Sequence, residues 1–136
     1  MLSKTELAER IRGRGLPDVV ARIATEGGET VSPALSYRAE AVFRDPAETV
    51  MTGTAEDLVP LWSCGATHAF AGRGRYLMWS PEDDGPSAVF ETFAQLVREL
   101  LTDLWEDEAD DAERARIAHL LLPASDAAAA LVPAQR

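Results

Sequence analysis

Two apolar runs, Thr67–Ala71 and 75–80, flank Gly72-Arg73-Gly74 and constrain this chain more than any other feature. Alternating residues around a glycine-bearing loop predict a β-hairpin with a three-residue loop and Gly74 in the left-handed position. In that register Phe70 faces Tyr76 and His68 faces Met78. Thr67, Ala69, Leu77 and Trp79 take the other side. A slip of one residue exchanges the faces of one strand. Both sides are apolar, so both need cover. Upstream, Leu58-Val59-Pro60-Leu61-Trp62 reads as a strand whose proline favours an edge or a bulge. Downstream, Ala88-Val89-Phe90 adds another.

The helices have clear starts. Ser3-Lys4-Thr5-Glu6 is a capping box, with Leu2 and Leu7 placed as its staple. The first helix should end near Gly13. Pro17 suits the first position of a second short helix, which Gly27-Gly28 would end. Thr92-Phe93-Ala94-Gln95 is a second capping box. Behind it Phe93, Leu96, Val97, Leu100, Leu101 and Leu104 form one stripe at helical spacing. A further helix is expected over 112–122, stopping at Pro123. From 29 to 59 the pattern is weak, with short strands expected at 36–43 and 49–52. Strands followed by helices, without βαβ alternation, give an α+β class: a mostly antiparallel sheet with helices packed against one face. The 136 residues suit a single domain, taken as 1–123, with 124–136 an alanine-rich tail that frays.

Charge narrows the function. The formal charge is −10 and the pI near 4.6, which argues against nucleic-acid binding, where Lys and Arg must neutralise phosphates. Between 99 and 113 lie eight acids and no base, so −8 of the charge sits in fifteen residues. A lone Cys64 excludes an internal disulfide, and one thiol with two histidines does not make a closed zinc site. No cofactor or metal is expected. No apolar run reaches a membrane span, and the amino terminus lacks the pattern of a secretory signal. A cytoplasmic location is expected.

Candidate chemistry is sparse. Cys64 and His68 have the types of a nucleophile and its base. Four residues of extended strand span ~13 Å, while the pair needs about 3 Å. Only a sharp bend at Gly65 would join them. Arg12-Gly13-Arg14-Gly15 and Gly72-Arg73-Gly74-Arg75 resemble RNA-binding tripeptides but fall at turns, where glycine is expected. Trp62, Phe70, Tyr76 and Trp79 group near the hairpin as core, or as a face for a partner. The acids Glu106, Asp107, Glu108, Asp110 and Asp111 oppose the dipole at the end of one helix. They either favour the start of the next or serve a partner.

The order of features resembles the SUKH superfamily, which includes bacterial immunity proteins and fungal cell-wall-synthesis regulators. It runs from the capped helix and Gly15-Leu16-Pro17, through Leu58-Val59-Pro60-Leu61-Trp62, Cys64-Gly65-Ala66 and the hairpin to Tyr76-Leu77-Met78-Trp79. It then continues through Val89-Phe90-Glu91-Thr92-Phe93-Ala94-Gln95-Leu96 into the leucine-rich helix. The likeness covers roughly 11 to 104. Gly65-Ala66-Thr67 lacks the acid many members carry before the hairpin. The resemblance implies an α+β domain without catalytic residues that acts by binding, often neutralising a toxin such as a basic nuclease. Glu106, Asp107, Glu108, Asp110 and Asp111 are then the expected partner-binding residues, since an acidic patch speeds capture of a basic partner. Two alternatives stay open: a small hydrolase using Cys64 and His68, and a structural or regulatory module that oligomerises through the hairpin aromatics. The oligomeric state is left open.

Overall fold

The computed structural model describes residues 2–135. The helices are α1 (Lys4–Gly13), α2 (Asp18–Glu26), α3 (Arg44–Thr52), α4 (Phe93–Glu106), α5 (Asp111–Leu121) and α6 (Ala124–Ala130). The strands are β1 (Val59–Cys64), β2 (Thr67–Ala71), β3 (Tyr76–Trp79) and β4 (Ala88–Phe90), antiparallel in the order β1-β2-β3-β4. Both capping boxes form, at Ser3 with Glu6 and at Thr92 with Gln95. Pro17 sits one place earlier than expected, just outside α2, and Gly27 ends that helix at φ +99°.

Pro60 has both of the consequences its chemistry allows. β1 is an edge strand, and its register with β2 shifts between Pro60 and Trp62. The extra residue lets Val59 and Trp62 point to the same face. Trp62 lies opposite Ala69, and the small Ala69 and Ala71 leave the depth that its ring fills. Leu96, Val97, Leu100 and Leu104 of α4, with Ile11, Val20 and Ile23 of α1 and α2, complete this main core. Truncating a buried tryptophan of this kind to alanine costs about 3–5 kcal/mol.

The hairpin register is one residue away from the expected one. Phe70 pairs with Leu77 and His68 with Trp79, while Ala71 pairs with Tyr76 and Ala69 with Met78. The Gly72 N–H donates to the Arg75 carbonyl at 2.8 Å, so Arg73-Gly74 is the tip of a two-residue turn. Gly74 does take positive φ, at +70°. Just before β3, the Arg75 guanidinium grips Glu56 through bonds of 3.0 and 2.6 Å.

The second face of the sheet holds a smaller cluster of Leu58, Phe70 and Leu77 under Ala47 and Val50 of α3. The strand expected at 49–52 is therefore helix. Thr49 and Thr52 satisfy their hydroxyls on carbonyls one turn back, and the spacing of Ala47 and Val50 gives α3 its apolar side. Of the strand expected at 36–43, only Glu40 pairs, with Ser63 on the outer edge of β1. Short 3-10 turns at Gly28–Thr30 and Pro33–Leu35 precede it. Gly28 has no room for a side chain, since a Cβ there would overlap the Ala39 carbonyl oxygen and the Leu35 side chain.

The alanine-rich tail, expected to fray, instead carries α6, with Ala127 and Ala130 buried against the main core. Arginines tie it down. Arg98 donates to the carbonyls of Val132 and Pro133, and the buried Arg114 to those of Leu101 and Leu131. Composition alone could not show these partners. No helix among the described residues is long and apolar enough to cross a membrane.

Candidate functional site

The acidic run falls where α4 ends and α5 begins. Glu99, Asp103, Glu106 and Asp107 recur at helical spacing along one side of α4, away from the buried leucines. The helix is closed without a glycine. Glu108 takes φ +63°, and the Ala109 N–H reaches back to the Leu104 carbonyl at 2.9 Å. That left-handed position is usually glycine, and a side chain there costs about 1–2 kcal/mol. Ala109 then packs on the main core and swings the chain into α5.

The five expected binding residues divide into different roles. Asp107 is clamped by Arg38 through two bonds, Nε to Oδ2 at 2.6 Å and Nη2 to Oδ1 at 2.7 Å. The guanidinium holds the Asp107 carboxyl below its usual range. Asp107 therefore fastens the 36–40 segment to the end of α4. Asp110 occupies the position before α5 and offers no side-chain cap, while its carbonyl accepts the Arg114 N–H. Asp111 is 94% exposed at its side chain and 3.8 Å from a nitrogen of Arg114. Asp111 and Glu113 sit in the first turn of α5, where the helix dipole favours acids. Glu106 and Glu108 are exposed. Folding thus gathers Glu106, Glu108, Asp110 and Asp111 at one exposed junction and ties Asp107 into a half-exposed ion pair with Arg38.

Cys64 and His68 are not brought together. A sharp turn does form at Gly65, with φ +59°, and joins β1 to β2. The turn pairs Cys64 with Thr67 and Ser63 with His68, so the two side chains leave opposite faces of the sheet. Cys64 lies among Arg38, Trp62, Met78, Leu100 and Asp103, its Sγ 3.6 Å from the Tyr37 carbonyl oxygen. Burial pushes its thiol up, and Arg38 only partly opposes this. His68 is fully buried between Phe43 and Phe70, whose ring centroids lie 6.2 and 6.0 Å away. Among the described residues neither ring nitrogen has a hydrogen-bond partner. Burial pushes the imidazole below its ordinary value. The backbone of Phe43 and Ala66 opposes this without offering either nitrogen a bond of good geometry. The expected nucleophile and base thus have no shared site.

The two glycine–arginine motifs are joined to each other. Arg14 donates to the carbonyls of Asp57, Ala71 and Gly72 and meets the Asp57 carboxylate at 3.2 Å. The hairpin aromatics are mostly interior. Trp62 and Phe70 are buried, and Tyr76 rests against Phe93 with centroids 5.7 Å apart. The exposed aromatics are elsewhere, with Tyr37 at 84% and Trp105 at 50%.

A second acidic stretch, the polar turn before β4, lies apart from the run at 99–113. Glu82, Asp83, Asp84 and Glu91 bracket β4, and no base lies between Tyr76 and Val97. The chain matches no protein-family model, no curated protein and no solved structure.

Proposed function

We propose that this chain is a non-enzymatic protein-binding domain of the SUKH type, an immunity-like protein that neutralises a basic toxin, such as a nuclease, by direct contact. The observation that carries the reading is the gathering of Glu106, Glu108, Asp110 and Asp111 at the α4–α5 junction, exposed on a chain of net charge −10. Such a surface raises the encounter rate with a cationic protein and makes it sensitive to salt. The α+β sheet and the order of its elements are in keeping with the resemblance. The separation of Cys64 from His68 takes away the one nucleophile–base pair that the sequence offered.

The test is association with any toxin domain found encoded in the neighbouring genes, followed by stopped-flow fluorescence at several ionic strengths. Glu106→Gln, Glu108→Gln, Asp110→Asn and Asp111→Asn together should slow association about tenfold or more and flatten its salt dependence. Arg38→Met with Asp107→Asn should leave the rate nearly unchanged, because together these two side chains carry no net charge. An unchanged rate in the fourfold variant overturns the patch. A neighbouring toxin that never binds overturns the immunity reading.

A further inference from the structure

The sheet has two edges, and the fold treats them differently. The outer edge of β1 is closed by Glu40, which exchanges two backbone bonds with Ser63 at 2.8 and 3.0 Å. The Ser63 hydroxyl also accepts the Phe43 N–H at 2.9 Å. The outer edge of β4 has no such cover. Among the described residues, nothing pairs with Ala88–Phe90 on the side away from β3. An open edge is a row of unspent donors and acceptors, and it accepts an added strand unless something blocks it.

Two further observations say what would fit there. Val89, at the middle of β4, is 50% exposed and offers an apolar step on the strand. Glu82, Asp83 and Asp84 precede the strand and Glu91 follows it. All four are exposed, and among the described residues none has a basic partner. The turn that carries three of them is held in place, since the Trp79 indole N–H donates to the Asp83 carbonyl at 3.0 Å.

We infer that the open edge of β4 takes an extended, basic segment of a partner protein as a fifth strand. Main-chain bonds to Ala88–Phe90 would hold it, Lys or Arg side chains at its ends would meet the bracketing acids, and a small apolar side chain would cover Val89. A second copy of this chain is the wrong occupant, because pairing two such edges brings both sets of unanswered acids together. The inference does not depend on the toxin reading. Glu91 precedes α4 and Glu106 ends it, about 20 Å along the helix axis.

The probe is a synthetic heptapeptide alternating arginine and valine, titrated into the nitrogen-15-labelled full chain. Two versions are N-methylated, one at each alternate set of backbone amides, and a fourth peptide carries glutamate for arginine. Amide shifts should move at 87–91 and 82–84, with cross-strand contacts between peptide and β4. One N-methylated version, and Val89→Lys with the parent peptide, should each bind about tenfold more weakly, equivalent to about 1.4 kcal/mol. The glutamate peptide should not bind. Val89 is exposed, so dispersion of the spectrum will show whether Val89→Lys keeps the fold, and the methylated arms do not rely on it. Equal binding by both methylated peptides would mean attraction by charge alone and overturns the inference. So do shifts confined to 106–111, concentration-dependent shifts at β4 without peptide, or no shifts at millimolar peptide.

Discussion

Replacing His68 with leucine should make this protein more stable, and increasingly so as the solution is acidified. The imidazole is wholly buried and, among the described residues, neither of its nitrogens has a hydrogen-bond partner. An unsatisfied buried polar group costs about 1–3 kcal/mol, and leucine fills nearly the same volume without that cost. At pH 8 a net gain of about 1 kcal/mol is expected after some loss of contact with Phe43 and Phe70. The pH dependence has a definite sign. The folded imidazole is depressed, so below the ordinary value of about 6.5 the unfolded chain binds a proton that the native one refuses. Stability from this residue is complete above that value and falls as the pH drops through it, by up to about 2 kcal/mol at pH 5. Urea unfolding followed by tryptophan fluorescence from pH 5 to pH 8 measures both quantities. The His68→Leu curve should lie above the parent and be flatter. A variant less stable at pH 8 by more than about 1 kcal/mol, or one with the parent's slope, would show that the ring is satisfied in solution.

Three other outcomes follow from the geometry. Glu108→Gly should raise stability by about 1 kcal/mol, since glycine carries no penalty at positive φ, and an unchanged melting temperature would contradict the left-handed assignment. Arg38→Met should release Asp107, whose titration by NMR should rise toward the ordinary carboxylate range. The half-exposed pair itself is worth about 0–1 kcal/mol, present above about pH 4 and lost as Asp107 protonates on acidification. Cys64 should react with a disulfide reagent at neutral pH more slowly than free cysteine, because burial disfavours its thiolate, and His68→Leu should leave that rate unchanged. A rate that falls in that variant would revive the thiol-enzyme reading.

What could be read in the sequence was whatever depends on neighbours a few residues apart. The capping boxes at Ser3 and Thr92, the leucine stripe of α4, the stop before Pro123 and the left-handed Gly74 all follow from local chemistry. Pro60 even announced the edge and the bulge. The register of the hairpin was not legible because both strands are apolar on both faces, so alternation alone allows either pairing. α3 was hidden by β-branched residues, whose strand preference gave way to the packing of Ala47 and Val50 on Phe70. The acidic junction was visible as a count of charges. That Asp107 would be spent on Arg38 was not, since 69 residues separate them.

The latch that Arg14 makes has a consequence for how the chain is born. Its acceptors, the carbonyls of Asp57, Ala71 and Gly72, lie 43 to 58 residues further along. On the ribosome α1 emerges before these partners, and the arginine that follows it has its full set of acceptors only once Asp57 and then the hairpin have been synthesised. That latch therefore closes late, and a stall between Gly15 and Gly72 leaves it incomplete.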